Sequence, residues 1–337
     1  MKGRIAAFAI SALCLASGGW AETKVAADLE EMIEKAVPLR THSLAAPYVD
    51  TDLQNRWWDF GGDAIINTNK HVRLTQDRPS ESGWLWSRMP LSMSNWQVEV
   101  EFKVDGRAHN LFADGFAFWI TKDRATSGPV FGSVDYFTGL GIFFDTYANA
   151  RHAYQWPRVS AMLGDGKTAY DHDHDNEAHE IAACSDNFRR RDIPTKARLT
   201  YLKGKTLQLD LQTKEEGVWK KCFAIDAMLP DSPYVGFSAA TGDVHDNHDI
   251  VSVQTFSVIL KPEYRDDSSQ APMRAGVQAS NTASTKAEKK PKRRGSSGGA
   301  AGWFLFILKL IGVGAFIAFA VAAVRTYNAQ KKSRRAW

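Results

Sequence analysis

The residues able to do chemistry lie in two short stretches. The first, residues 141–149, is an apolar run that ends in oxygen-bearing side chains. Asp145, Tyr147 and Asn149 alternate, so an extended chain would place them on one face. The second, residues 170–175, packs Asp171, Asp173 and Asp175 around His172 and His174. Carboxylates this dense repel one another unless water or a cation neutralises them, and a hard oxygen donor set of this kind suits calcium. Histidines at i and i+2 on a strand would share a face and suit zinc, although their neighbours are carboxylates and no cysteine is near. A solvated acidic loop is the third reading.

Such stretches need a platform, and the rest of the chain reads as one. A length of 337 residues accommodates one large all-β domain with appendages. Residues 97–104 alternate cleanly, with Val98, Val100, Phe102 and Val104 opposite Glu99, Glu101 and Lys103. Further strands are predicted over 115–120, 139–144, 198–202, 206–211, 235–239 and 251–260. In the last of these, a switch of apolar phase between Val253 and Phe256 predicts a bulge. Many short strands and 11 Trp and 18 Phe argue for sheet packed on sheet. The net charge of +4 sits in the C-terminal tail and excludes a nucleic-acid-binding face.

The appendages carry address information. Residues 1–21 read as a signal peptide: Lys2 and Arg4, a short apolar run, then Gly19 and Ala21 before the cut. Residues 22–39 form a leader in which Leu29, Met32, Ile33 and Ala36 fall at helical spacing over 26–37. The globular domain spans 40–261. Residues 262–302, rich in Ser, Ala, Lys, Pro and Gly, read as a disordered linker. Residues 303–324 read as a transmembrane helix with one charge, Lys309, and 325–337 as a basic cytosolic tail. The signal peptide makes this a single-pass type I protein. Its removal takes Cys14 and leaves Cys184 and Cys222 in an oxidising lumen. A bridge between them would close about 38 residues and stabilise by roughly 4 kcal/mol, the alternative being two buried thiols.

From about residue 42 to 260 the chain resembles the L-type, legume-lectin-like cargo receptors of the early secretory pathway. The resemblance rests on Asp114-Gly115-Phe116-Ala117, Gly128-Pro129-Val130-Phe131-Gly132, Phe144-Asp145-Thr146-Tyr147 with Asn149, Tyr170-Asp171-His172, Cys184 with Phe188 and Asp192, and Thr241-Gly242-Asp243 followed by Asp246 to Asp249. It implies a legume-lectin-like (concanavalin-type) sandwich of two large antiparallel sheets that binds high-mannose N-glycans with calcium. Asp145, Asn149, Asp175 and the Tyr147 carbonyl would hold the metal, leaving the Asn149 amide nitrogen free for the sugar. Asp114, after a cis peptide at Ala113, would accept from sugar hydroxyls. His172, Ser80 and the loop Gly242, Asp243 and Val244 would complete the site.

Plant relatives carry a Glu two residues before the calcium Asp to hold a transition metal. Phe143 stands there, so no manganese site is expected. The implied partners are high-mannose glycoprotein cargo and, through Arg334 and Arg335, vesicle-coat proteins; the implied location is the membranes of the endoplasmic reticulum and Golgi. Two other classes compete. A glycosidase on the same sandwich needs two carboxyls across a cleft, and Glu99 and Glu101 face outward instead. A structural membrane protein that has lost sugar binding would keep the cysteine bridge alone.

Overall fold

The computed structural model describes residues 29–265. The expected signal peptide, transmembrane helix and tail lie outside the described residues, as does the linker beyond Arg265. Among the described residues no helix is long and apolar enough to cross a membrane.

A one-turn helix, Leu29–Met32, leads into fifteen strands. These are β1 (Ile33–Pro38), β2 (Trp58–Gly62), β3 (Ile65–Asn67), β4 (His71–Thr75), β5 (Ser82–Ser87), β6 (Asn95–Asp105), β7 (Gly115–Thr121), β8 (Thr138–Asp145), β9 (Arg158–Asp165), β10 (Ala182–Ser185), β11 (Thr195–Leu202), β12 (Thr206–Gln212), β13 (Lys220–Ile225), β14 (Tyr234–Ala240) and β15 (Asn247–Leu260). They form two antiparallel sheets. One runs β13-β12-β11-β6-β15-β4-β3 with β1 also on β15; the other runs β10-β9-β8-β7-β14-β5-β2.

The main core lies between the sheets. Val98, Val100, Phe102 and Val104 of β6 meet Phe116, Phe118 and Ile120 of β7 and Ile142 and Phe144 of β8. Phe116 and Phe144 stack at 4.5 Å, and Phe102 packs on both. The opposite face of β7 and β8 is covered as well: Ala117, Trp119 and Phe143 are buried under Phe131, Phe137 and Tyr170 from long loops. Burial on both faces explains why these strands read as continuous apolar runs.

Two sequence expectations change here. The leader is not a helix over 26–37: from Ile33 it is a strand paired antiparallel to β15. A short isolated helix is marginal in water, whereas the free edge of β15 offers a ladder of backbone partners. The expected bulge in the last strand lies elsewhere. The register to β6 slips between Ile250 and Ser252, while burial changes phase between Thr255 and Val258, where β15 runs off β6 and keeps β1 as partner. The first residues assigned to the linker also form a short 3-10 turn, Pro262–Tyr264.

Cys184 and Cys222 form the expected disulfide, with Cα atoms 5.3 Å apart. It ties β10 to β13, the edge strands of the two different sheets.

Register fixes where the site must lie. Gly115 of β7 pairs with both Asp145 of β8 and Ala240 of β14, and Asp145 pairs with Arg158 of β9. The residues flanking these positions therefore meet at one end of the seven-stranded sheet. β15 starts at that end and runs 14 residues to the other, about 45 Å at 3.3 Å per residue, where the described chain leaves.

Candidate functional site

A pocket of about 170 Å³ opens at that end, lined by Asp114, Phe131, Asp145, Tyr147, Asn149, Tyr170 and His172 among others. Five of these were singled out from sequence. The Ala113–Asp114 peptide is cis, as expected. The Asp114 carbonyl accepts from the Thr146 N–H at 2.9 Å and the Thr146 hydroxyl at 3.1 Å, which fixes the start of β7 against the end of β8. Gly115 follows at φ +139°, and a Cβ there would lie 2.1 Å from the Phe144 carbonyl, so only glycine lets the two strands approach.

The Asp114 carboxyl is pushed up to about 6 by burial, opposed by the Gly242 N–H. Asp145 is almost wholly buried. Desolvation raises its pKa well above the carboxylate range; the Tyr147 N–H works against this at 2.9 Å, and the charges of Asp175 and Asp114 add to it.

The alternation of 145, 147 and 149 on one strand face does not hold, because β8 ends at Asp145. A loop brings Tyr147 and Asn149 back to the pocket instead. Asp175 closes this loop from across the chain. Its carboxylate accepts from the backbone N–H of Asn149 and Ala150 and from the Asn149 side-chain nitrogen at 2.9 Å. The expectation that this amide nitrogen faces a ligand therefore differs from the observed arrangement, in which it is spent on Asp175.

The acidic stretch is a turn, not a strand, so the geometry that favoured zinc is missing. His174 is exposed and bonded to Asp171, and His172 packs against the Tyr170 ring at 4.9 Å. Asp171 acquires a role that the sequence left open: its carboxylate accepts from the N–H groups of Asp173 and His174 and shapes the turn. Among the described residues no three His, Cys, Asp or Glu side chains gather as a metal group. The donor set at the pocket is instead two buried carboxylates, Asp145 and Asp175, with amide and carbonyl oxygens beside them. Such a pair fits a hard cation, since among the described residues no Lys or Arg contacts either carboxylate.

Ser80 and the 242–244 loop sit beside this group. The Ser80 N–H donates to the Gly242 carbonyl at 3.1 Å, and Gly242 lies against the Asp114 carboxylate. Asp243 is exposed and Val244 half-buried on the same loop, outside the pocket lining. Phe143 fills the position discussed for a transition metal with an aromatic ring, packed 4.8 Å from Tyr170 and 5.4 Å from Phe131.

Sequence reasoning missed His152. Its buried ring places Nε2 2.6 Å from Asp175 and Nδ1 3.1 Å from Glu177, and it stacks on Tyr154 at 4.6 Å. The available signal was the alternating His152, Tyr154, Trp156 just past Asn149. Glu99 and Glu101, weighed for hydrolysis, lie on the outer face of the other sheet beside Lys196, at 3.4 Å and 3.9 Å.

The legume-like lectin family profile matches residues 35–263. The chain is 36% identical to mouse (Mus musculus) "Vesicular integral-membrane protein VIP36" over 303 residues, 88% of this chain and 84% of that protein. It is 40% identical to the "L-type lectin-like domain-containing protein C126.08c" of Schizosaccharomyces pombe over 214 residues, 63% of this chain and 68% of that protein. Among solved structures, the VIP36 exoplasmic/lumenal domain in its Ca2+/Man3GlcNAc-bound form superposes with TM-score 0.63 at 39% identity, covering 68% of this chain and 94% of that one. Its Ca2+/Man-bound form superposes with TM-score 0.64 at 39% identity, covering 66% and 93%.

Proposed function

The chain belongs to the legume-like lectin family, and from that premise we propose that it is a calcium-dependent lectin for high-mannose N-glycans, a type I membrane cargo receptor cycling between endoplasmic reticulum and Golgi. The observation that carries this reading is the convergence of Asp114, Asp145, Tyr147, Asn149 and His172 on one pocket, with Asp175 bonded to Asn149.

Calcium would be held by the Asp145 and Asp175 carboxylates, the Asn149 side-chain oxygen and the Tyr147 carbonyl. Bound there, it neutralises two buried carboxylates and fixes the loop 145–149. A neutral hexose offers only hydroxyls, each both donor and acceptor, so its site needs charged acceptors and amide donors fixed in place. Asp114 accepts from adjacent hydroxyls. With its oxygen on the metal, the Asn149 amide would have its nitrogen free of Asp175 and available to the sugar. His172, Ser80 and the backbone of Gly242, Asp243 and Val244 close the rim. The aromatic floor of Phe131 and Tyr170 excludes water beneath the ring.

The membrane reading draws on the VIP36 match, which runs past the lectin domain, together with the apolar segment 303–324. The described chain ends at Arg265, past the end of β15 opposite the pocket. Arg334 and Arg335 would offer a coat-protein contact on the cytosolic side.

A glycan array probed in calcium and in chelator, with Asn149→Ala alongside, tests the site. Retention on mannose-terminated glycans in calcium, lost in both controls, is the expected result. Binding that survives chelation would sink the mechanism, and release of free mannose would return the protein to the hydrolases.

A further inference from the structure

A second and larger cavity, about 620 Å³, opens on the same end of the sandwich. Its position follows from register. Asp145 of β8 pairs with Arg158 of β9, and Arg158 pairs with Ser185 of β10, which lines the cavity. Two strand spacings separate them, about 10 Å. The segment 149–157 joins the two pockets along the chain, passing through the ring contacts of His152, Tyr154 and Trp156.

The walls come from both sheets. Ser185 and Asp186 follow Cys184 at the end of β10, and Lys220 lies two residues before Cys222 in β13, so the disulfide ties the two walls together. The charge is unbalanced. Arg191, Lys214 and Lys220 line the cavity with one carboxylate, Asp186. Asp186 is already engaged, accepting from the Thr213 hydroxyl at 2.9 Å and Lys220 at 3.1 Å. No carboxylate lies within ion-pair distance of Arg191 or Lys214 among the described residues. The Trp156 ring lines one side, and its buried Nε1–H has no acceptor among the described residues. The cavity is thus rich in donors and cations beside an indole, and two cations lack a counter-charge.

We propose that this cavity is a second binding site for an anionic substituent, phosphate or carboxylate, carried by the same mannose-type glycan whose neutral ring occupies the pocket at Asp114 and Asn149. This rests on the sugar-binding reading above. A glycan branch is favoured over an acidic stretch of polypeptide because the cavity lies two strands from the sugar pocket, a separation of about two sugar rings, while Trp156 offers a ring face of the kind sugars pack against. Arg191 and Lys214 supply the counter-charge.

Calorimetric titration of the full chain in detergent and calcium, at low ionic strength, tests the proposal. The ligands are a neutral oligomannose, the same glycan with a phosphomonoester on an outer mannose, the same glycan with an outer uronic acid, and an oligoglutamate peptide. At least one anionic glycan is expected to bind about tenfold tighter than the neutral one, with the advantage shrinking as salt is added; comparing the two separates phosphate from carboxylate. Lys214→Glu should remove the advantage and leave neutral-glycan affinity unchanged. Equal affinity for all three glycans overturns the proposal, as does an advantage that survives Lys214→Glu. Oligoglutamate binding as tightly as the anionic glycans assigns the cavity to polypeptide and overturns it too. If the neutral glycan itself fails to bind, the sugar-site reading falls first and takes this proposal with it.

Discussion

In the eight-stranded sheet, β6 buries Val98, Val100, Phe102 and Val104 on one face and turns Glu99, Glu101 and Lys103 to the other. In the seven-stranded sheet, β7 is buried at every position from Gly115 to Thr121. The difference lies in what covers the outer faces. At β6 the first is open to water, although Gln208 and Asp210 of β12 on the same sheet are buried; the loops carrying Phe131, Phe137 and Tyr170 cover the second. Those loops also deliver Phe131, Tyr170 and His172 to the pocket at Asp114. The second apolar face therefore holds the pocket-forming loops in place.

Truncating the covered face is the severest test of this contrast. Phe143→Ala removes a fully buried ring that touches Trp119, Phe131, Phe137 and Tyr170. Loss of about 3–5 kcal/mol in urea unfolding is expected, with weaker mannose binding in the protein that remains folded, because the pocket floor loses its support. A variant as stable as wild type would show that the loops are held by other contacts.

How much of this was legible in sequence depends on how local the cause is. The alternation of β6 reports its single core face directly. The run 139–144 gave the position of β8 but could not say that both faces are buried, since a continuous apolar run has no phase. The leader was misread because the helical spacing of Leu29 to Ala36 is present, while the competing edge of β15 lies more than 200 residues away. Asp145, Tyr147, Asn149 and His172 were singled out by residue type and spacing, and Asp114 through the family resemblance. What escaped was their hydrogen bonding. Asn149 and His152 both turn to Asp175, 26 and 23 residues downstream, through loop folding that no periodicity records.

Acid should separate the two sheets next. His248, on the inner face of β15, is wholly buried, 2.7 Å from the Thr75 hydroxyl, and its Nε2 has no partner among the described residues. Burial, with Arg189 adding, holds its pKa down to about 3 from 6.5. The unfolded chain takes up a proton below 6.5 while the folded one resists until about 3, so stability is complete above 6.5 and falls as pH drops. From pH 6.5 to 5 the expected loss is about 2 kcal/mol, at about 1.4 kcal/mol per unit. Urea midpoints at pH 7 and 5 measure it, and His248→Gln should lose much of the dependence.

Asp114, at the start of β7, responds to acid with the opposite sign in folding. Its pKa is raised to about 6, so the folded state protonates before the unfolded one; its contribution to stability is fullest below the unfolded value and is lost as pH rises through 6. Sugar binding needs the ionised acceptor and moves the other way. Affinity should drop about tenfold by one unit below the pKa, and calcium beside it shifts that drop to lower pH by favouring the carboxylate. Mannose affinity that stays level down to the acid limit of calcium binding, with Asp114→Asn binding as tightly as wild type, would remove Asp114 from the acceptor role.

The smallest effect belongs to the outer face of β6, and it decides whether the contrast between the sheets is one of covering or merely of residue size. Lys103 projects there, pairing with Asp105 at 3.1 Å with both side chains largely exposed. An exposed pair gains little from Coulomb attraction and gives up side-chain entropy. Lys103→Ala should change stability by no more than about 0.5 kcal/mol, and mannose binding not at all. A loss approaching that of Phe143→Ala would mean that this face too rests against something, and the division between the open outer face of β6 and the covered face of β7 would have to be abandoned.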